Sequence, residues 1–136
     1  MPLYPYWEDV NEGILNQLPQ AMPNQLVLDV GCGRAALGAA IKKKGYQVWG
    51  VEQEPAALEK AAPRIDKVIP ADLHDIAAVG NALSGMLVDY VIFSDVLEHI
   101  YDPIGVLRLY LKFLKPGGKV LVSVPNIANW EARLKL

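Results

Sequence analysis

The chain has 136 residues, of which 52% are hydrophobic and 21% charged, a balance typical of a folded globular domain. Its formal net charge of -2 indicates neither a nucleic-acid surface nor an anionic-membrane surface. A single cysteine excludes an internal disulfide, and with only two histidines we predict no metal site. No run approaches the roughly 18 apolar residues of a membrane span, and the N-terminus lacks a secretory signal pattern. We therefore expect one cytoplasmic domain over residues 1–136.

Strand-like and helix-like segments alternate along the chain. An amphipathic segment carrying Val10, Ile14 and Leu18 predicts a first helix. The aromatic cluster at residues 4–7 could pack this helix onto the core or form a lid over a ligand site. Short apolar runs predict buried strands at residues 25–30, 47–52, 67–70, 87–93 and 119–124. The intervening segments predict helices at residues 35–44, 56–62, 74–83 and 104–114, the last ended by residues 115–118.

This alternation predicts an α/β fold with a doubly wound, mostly parallel Rossmann-like sheet and helices on both faces. Parallel neighbours need a crossover, and a helix is the usual crossover. In such sheets ligands bind beyond the carboxyl ends of the strands, near the point where strand order reverses. Residues that follow the strands directly are therefore the first candidates for a functional site.

Gly31 and Gly33 follow the first predicted strand, where positive φ angles and a close approach of a ligand to the backbone are possible. A tight strand-to-helix turn would also explain two glycines. Glu52 ends the second strand, where a carboxylate can accept hydrogen bonds from both hydroxyls of a ribose. The two features together favour a nucleoside ligand.

Two further acids narrow the choice of nucleoside. Asp29 lies near the end of a buried strand, so its carboxylate needs donors, either from loop N–H groups or from a cationic ligand. A pyrophosphate would be repelled there, whereas a ligand carrying sulfonium and ammonium groups would be favoured. Asp72 follows the third strand and could accept from the exocyclic amine of adenine, or it could cap the next helix.

Five segments in order carry a family resemblance that runs from about residue 26 to residue 126. They read VLDVGCGRAALG, VWGVEQE, ADL, DYVIFSDVLEHIYDP and LKPGGKVLVSVPN. The chain resembles the class I S-adenosylmethionine-dependent methyltransferases, among them small-molecule enzymes whose fourth motif ends in Glu-His. Members of this family usually have two more strands, so the resemblance implies a sheet truncated after the fifth strand, in either a fragment or a reduced fold.

The resemblance implies S-adenosylmethionine as cofactor, S-adenosylhomocysteine as product and a small-molecule methyl acceptor as partner. Gly31 and Gly33 would line its methionine and ribose part, Glu52 would hold the ribose hydroxyls, and Asp72 with the Leu73 backbone would contact adenine. Many members have glycine where this chain has Ala35. The full candidate set for cofactor binding is Asp29, Gly31, Cys32, Gly33, Glu52, Gln53, Asp72, Leu73, Ser94 and Asp95.

Methyl transfer from a sulfonium is an in-line displacement that needs alignment and exclusion of water, and a general base only when the acceptor arrives protonated. His99, after the fourth strand, is the candidate base, although it could instead pack against the sheet edge or cap a turn. We expect Cys32 to be a small filler rather than a nucleophile, and His74 to be a surface residue at a helix start.

Two other classes of function are compatible with parts of the pattern. Residues 31–36 also satisfy the G-x-G-x-x-G/A pattern of a nicotinamide-dependent oxidoreductase. A non-catalytic S-adenosylmethionine-binding module would suit a chain with so little sequence after its fifth strand. The oligomeric state cannot be read from the sequence.

Overall fold

The computed structural model describes residues 10–124 and contains one sheet of five parallel strands. The strands are β1 (Leu26–Val30), β2 (Gln47–Glu52), β3 (Lys67–Pro70), β4 (Val88–Ser94) and β5 (Leu114–Ser123), and their order across the sheet is β3-β2-β1-β4-β5. The helices are α1 (Glu12–Gln17), α2 (Ala36–Lys42), α3 (Pro55–Ala61), α4 (Ile76–Leu83) and α5 (Pro103–Leu111). A 3-10 turn, Leu97–His99, follows β4.

Helices cover both faces of the sheet, as predicted. Successive side chains of a strand point to opposite faces, and every residue of β1 is buried, so both faces must be covered. Leu28 and Val30 belong to a core that includes residues of α4 and α5, whereas Val27 belongs to a second core with residues of α1, α2 and α3. The doubly wound Rossmann-like architecture is thereby confirmed. Within residues 10–124, none of the helices combines the length and apolarity that would let it cross a membrane.

The first helix packs as its amphipathic pattern predicts. Ile14 and Leu18 are both 2% exposed and lie in the second core. Lys44 fixes the end of this helix, because its Nζ donates to the Leu15 and Leu18 carbonyls at 2.7 and 2.6 Å. The aromatic cluster at residues 4–7, whose packing the sequence left open, lies outside the described residues.

The expected bounds of the last helix and the last strand were wrong. Helix α5 ends at Leu111 instead of residue 114, and residues 115–118 lie inside β5 rather than between the two elements. The apolar pattern runs on past the helix because Phe113 packs in the core beside Tyr110, at a ring-centroid distance of 5.7 Å. The extra residues form a bulge, since β5 advances from Leu114 to Lys119 while β4 advances from Val88 to Tyr90.

Two helices also begin later than expected, because a residue with a non-helical backbone conformation precedes each of them. Asp75 accepts from the Ala78 N–H at 3.1 Å, so α4 begins at Ile76 and not at residue 74. Ala35 has a φ of +65°, so α2 begins at Ala36. A left-handed alanine costs about 1 to 2 kcal/mol, a cost that glycine at this position would avoid. The remaining bounds agree with expectation or differ from it by one or two residues.

Gly50 lies in β2, opposite Asp29 of β1, where there is no room for a side chain. A Cβ added to Gly50 would lie 2.5 Å from Cys32 Sγ and 2.9 Å from Ile65 Cδ1. We expect Gly50→Ala to lower the free energy of unfolding by about 1 to 3 kcal/mol through overpacking. Gly80→Ala is the matched control, because the new methyl group would meet Phe113 at an ordinary 3.6 Å within α4. It should stabilise the chain by about 0.5 to 1 kcal/mol, and urea denaturation measures both. Equal effects would contradict the packing described here.

Candidate functional site

Strand order reverses between β1 and β4, because the chain passes from β1 to β2 and β3 on one side and then returns to β4 and β5 on the other. A cavity of about 840 Å³ lies at the carboxyl ends of these strands. Its walls are formed by Val10, Asn11, Asp29, Gly31, Cys32, Gly33, Arg34, Ala36, Leu37, Glu52, Glu54, Ala56, Ala57, Ser94, Asp95, Val96, Glu98 and His99. The structure thus brings most of the sequence-predicted site residues together around one space.

The glycine turn after β1 is held by β2. Gly31 and Cys32 both donate their N–H groups to the Val51 carbonyl, at 2.8 and 3.0 Å. Gly31 has a φ of +73°, and a Cβ at this position would lie 2.9 Å from Val96 Cγ2. Glycine is therefore required here by both backbone conformation and space. Burial, followed by the charges of Asp29 and Glu52, raises the pKa of the Cys32 thiol, which disfavours the thiolate and agrees with a filler role.

Glu52 organises the loops around it. One carboxylate oxygen accepts from the Gly33 N–H at 2.9 Å, and the other accepts from Glu54 N–H at 3.0 Å and Gln53 N–H at 3.2 Å. A carboxylate offers about four lone-pair positions, so these three bonds leave one free position. A ligand that donates two hydrogen bonds to Glu52 must therefore displace one of the three N–H donors. The Gln53 N–H, which makes the longest of the three bonds, is the one we expect to be displaced.

Asp29 is 2% exposed, and within residues 10–124 no donor forms a hydrogen bond with its carboxyl group. The loop N–H groups that the sequence offered as partners are engaged elsewhere, with Val51 and Glu52. Burial, and then the nearby charge of Glu52, raises the pKa of Asp29 to about 7. The carboxyl group therefore faces the cavity without a protein partner among the described residues.

A second polar group lies at the ends of β4 and β5. Asp95 adopts a left-handed conformation with a φ of +55°, and its N–H donates to the Ser123 carbonyl at 2.9 Å. The Ser123 hydroxyl donates to Asp95 Oδ1 at 3.2 Å. Asn11, which the sequence analysis did not single out, donates from Nδ2 to Ser94 Oγ at 2.9 Å and to Ser123 Oγ at 2.7 Å. An N-cap signal before α1 could have drawn attention to Asn11, but not to its distant partners.

Glu98 and His99 lie in the 3-10 turn at the mouth of the cavity. The His99 ring is 77% exposed, and its Nε2 lies 3.6 Å from Glu98 Oε2. The alternative in which His99 packs against the sheet edge is therefore wrong. Glu98 Oε1 is buried and has no hydrogen-bond partner within the described part of the chain. This places an accessible imidazole beside a partly buried carboxylate.

Three sequence-predicted residues, Gln53, Asp72 and Leu73, do not line the cavity. Asp72 Oδ1 accepts from His74 N–H at 2.8 Å and lies 2.8 Å from His74 Nδ1, and these contacts lower the pKa of Asp72. The Leu73 carbonyl accepts from the Tyr110 hydroxyl at 2.7 Å. Asp72 does not cap α4, because Asp75 does. His74 is exposed and precedes the helix, close to the predicted surface position.

Comparison with known proteins shows the family to which the chain belongs. The family profile described as "Methyltransferase domain" matches residues 6–136. The chain is 31% identical over 128 residues to the ubiquinone biosynthesis O-methyltransferase of Pseudomonas paraeruginosa, which covers 92% of this chain and 51% of that protein. The chain belongs to the class I S-adenosylmethionine-dependent methyltransferase family.

Solved structures share the fold at low sequence identity. A SAM-dependent methyltransferase from Archaeoglobus fulgidus superposes with a TM-score of 0.64 at 21% identity, covering 80% of this chain and 48% of that one. Magnesium protoporphyrin IX methyltransferase from Synechocystis PCC 6803, solved with bound SAM, gives a TM-score of 0.56 at 21% identity, covering 68% of this chain and 46% of that one. The chain thus spans about half the length of the curated relatives that it matches.

The raised pKa of Asp29 predicts a pH-dependent stability difference between the wild type and Asp29→Asn. Above the unfolded-state pKa of about 3.9 the unfolded chain loses a proton that the folded chain keeps up to about pH 7, so wild-type stability falls over that range. We expect the variant to gain roughly 2 to 4 kcal/mol relative to the wild type between pH 4 and pH 8.

Urea denaturation at several pH values, without ligand, measures this difference. Glu54→Gln is the control for removal of one acidic group, because Glu54 is exposed and lines the same cavity. A difference between Asp29→Asn and wild type that stays constant with pH would contradict the burial of an ionisable carboxyl group at this position.

Proposed function

We propose that this chain binds S-adenosylmethionine at the carboxyl edge of its sheet, and that the protein to which it corresponds transfers the methyl group to a small-molecule acceptor in the cytoplasm. The buried carboxyl group of Asp29, which lies in the cavity and has no hydrogen-bond partner among the described residues, is the observation that carries this proposal. An acid in that position favours a ligand with positive charge and disfavours a pyrophosphate. Family membership supports the same ligand.

The residues present fit this cofactor. A volume of about 840 Å³ lies within the range of small-molecule sites. Asp29 would pair with the ammonium group, Gly31 and Gly33 would let the ligand approach the backbone, and Glu52 would take the ribose hydroxyls after releasing the Gln53 N–H. S-adenosylmethionine, when bound, supplies a methyl group that its positively charged sulfur already activates.

Adenine would extend along the carboxyl edge from β2 to β3. Glu52 pairs with Pro70 in the sheet, and the Ala71 N–H donates to the Glu52 carbonyl at 3.1 Å, so residues 71–73 directly follow the edge of the ribose site. In this arrangement Asp72 contacts the exocyclic amine, and its bonds to His74 keep its carboxylate ionised as an acceptor. Gln53 and Leu73, which do not line the cavity, would contact the same base where it extends beyond the cavity toward β3.

Catalysis would need alignment of the acceptor with the methyl group, exclusion of water and, for a protonated acceptor, a base. Ser94 and Asp95 would form the wall next to the sulfur region. His99 at the mouth would receive the proton, and Glu98, 3.6 Å from His99 Nε2, would stabilise the imidazolium that forms. The exposed ring suits this role because it can meet an acceptor that enters from solvent.

A nicotinamide-dependent oxidoreductase and a non-catalytic cofactor-binding module are the two alternative functions. The family match and the relatives give no support to a nicotinamide-dependent oxidoreductase. A non-catalytic cofactor-binding module is distinguished from an enzyme by assaying methyl transfer with this chain and with a protein of the relatives' length. Turnover by the longer protein alone would assign binding to this half and acceptor recognition to the remainder.

Glu52→Ala tests the ribose contact. Because each hydrogen bond to a charged group contributes about 1.5 to 3 kcal/mol, we expect the Kd for S-adenosylhomocysteine to rise about 10- to 150-fold. Isothermal titration calorimetry measures the change, with Glu59→Ala as control because Glu59 is exposed on α3 outside the cavity. NAD, titrated in parallel, should give no heat of binding. Unchanged affinity for S-adenosylhomocysteine would contradict the proposed contact between Glu52 and the ribose.

His99→Gln tests the proposed base. In the whole protein, kcat for a hydroxyl acceptor should fall about 10²- to 10⁴-fold, and the acidic limb of the pH–rate profile should disappear. The Kd for S-adenosylhomocysteine should stay within about twofold of wild type, since the ring is at the mouth of the cavity. A retained acidic limb would show that another group takes the proton.

A further inference from the structure

A polar corner joins the N-terminal helix to the far side of the candidate site. We define the β4–β5 corner as Ser94, Asp95 and Ser123, which lie at the carboxyl ends of two neighbouring strands. Asn11, 83 and 112 positions away along the chain, donates from one nitrogen to both serine hydroxyls. Asn11, the N-cap of α1, thus links this helix to the corner.

The direction of these hydrogen bonds is fixed by their partners. Asn11 Oδ1 accepts from the Ile14 N–H at 3.1 Å, and a backbone N–H can only donate, so the oxygen must face α1. The side-chain N–H₂ group is therefore turned toward the two hydroxyls, which accept. The hydrogen of Ser123 is left to donate to Asp95 Oδ1, as the 3.2 Å contact shows.

These bonds hold an unfavourable backbone conformation. Asp95 has a φ of +55°, a region that residues other than glycine seldom adopt. It is kept there by its own N–H, which donates to the Ser123 carbonyl, and by the Ser123 hydroxyl on its carboxylate. Ser94 and Asp95 line the cavity, but Ser123 does not. The cavity wall therefore depends on a residue that a ligand would not touch.

Asn11 is itself held firmly by α1. It is the N-cap of that helix, and Ile14 and Leu18 anchor the helix in the core. The carbonyls at the end of the helix accept from Lys44, which follows α2. Docking of α1 thus places the Asn11 amide at the corner with both of its functional atoms engaged.

We propose that Asn11 is a positioning residue, which acts through Ser123 and Ser94 to hold the left-handed turn at Asp95 and thereby sets the affinity of the cavity for the cofactor. This inference rests on the proposed function, because S-adenosylhomocysteine is the ligand by which it is tested. It assigns to α1 a part in forming the site as well as in covering the sheet.

Asn11→Asp and Ser123→Ala test the proposal. Asn11→Asp keeps an oxygen to cap α1 but removes both N–H donors, whereas Ser123→Ala removes the hydroxyl that links Asn11 to Asp95. Each change should raise the Kd for S-adenosylhomocysteine about 3- to 10-fold in calorimetry, the size of one hydrogen bond. The Kd of the double variant should not exceed the higher of the two single-variant values, because both changes interrupt the same chain of hydrogen bonds from Asn11 through Ser123 to Asp95.

Hydrogen exchange at the Asp95 amide supplies a readout that does not need the ligand. In both variants this amide should exchange at least about tenfold faster than in wild type, while amides in the core of β1 keep their rates. Asp66→Ala is the control: its carboxylate accepts from Val48 N–H at 2.8 Å at the opposite edge of the sheet, so its loss should change neither the Asp95 exchange rate nor the Kd.

The outcomes separate this proposal from the one on which it rests. Wild-type chain that fails to bind S-adenosylhomocysteine would overturn the proposed function and this inference with it. Wild-type binding with an unchanged Kd in Ser123→Ala would overturn the inference alone, because a direct contact between Asn11 and ligand needs no Ser123. Unchanged exchange at Asp95 in Asn11→Asp would also overturn it.

Discussion

The carboxyl group of Asp29, which has no hydrogen-bond partner within residues 10–124, is the feature on which the rest of the site depends. It lies in a strand whose every residue is buried, at the point where strand order reverses. Burying an ionisable group without a hydrogen bond is costly, and the raised pKa of Asp29 reflects that cost. The fold can keep such a group because the neighbouring strands pack around it, and a cationic ligand would relieve the cost on binding.

Within residues 10–124, the loops around Asp29 are arranged so that no backbone amide relieves this cost. β2 takes up the amides of the glycine turn, two on the Val51 carbonyl and one on Glu52. The same bonds fix the turn in the conformation that leaves room for a ligand. The two acids at this edge thus differ: Glu52 holds three loop amides and keeps one acceptor position open, whereas the Asp29 carboxyl group has no hydrogen-bond partner within the described residues.

The sequence was sufficient to predict the parts of the fold that depend on local pattern. Buried parallel strands are continuous apolar runs, and a glycine or an acid at the end of such a run marks the carboxyl edge, so the pattern predicted Gly31 and Glu52. Asp95 was predicted from the family resemblance instead. The Asn11 contacts were not found, because they join positions more than 80 residues apart and depend on how α1 docks. Nor did apolar pattern separate the end of α5 from the start of β5, since Phe113 is buried between them.

Proton release on ligand binding tests the central role of Asp29 most directly. Calorimetric titration of wild-type chain with S-adenosylhomocysteine at pH 7, in buffers of different ionisation enthalpy, measures the number of protons exchanged. Because Asp29 is about half protonated at that pH and would ionise beside the ammonium group, we predict release of about half a proton, absent in Asp29→Asn. Binding with no proton release, or with the same release in the variant, would contradict the account.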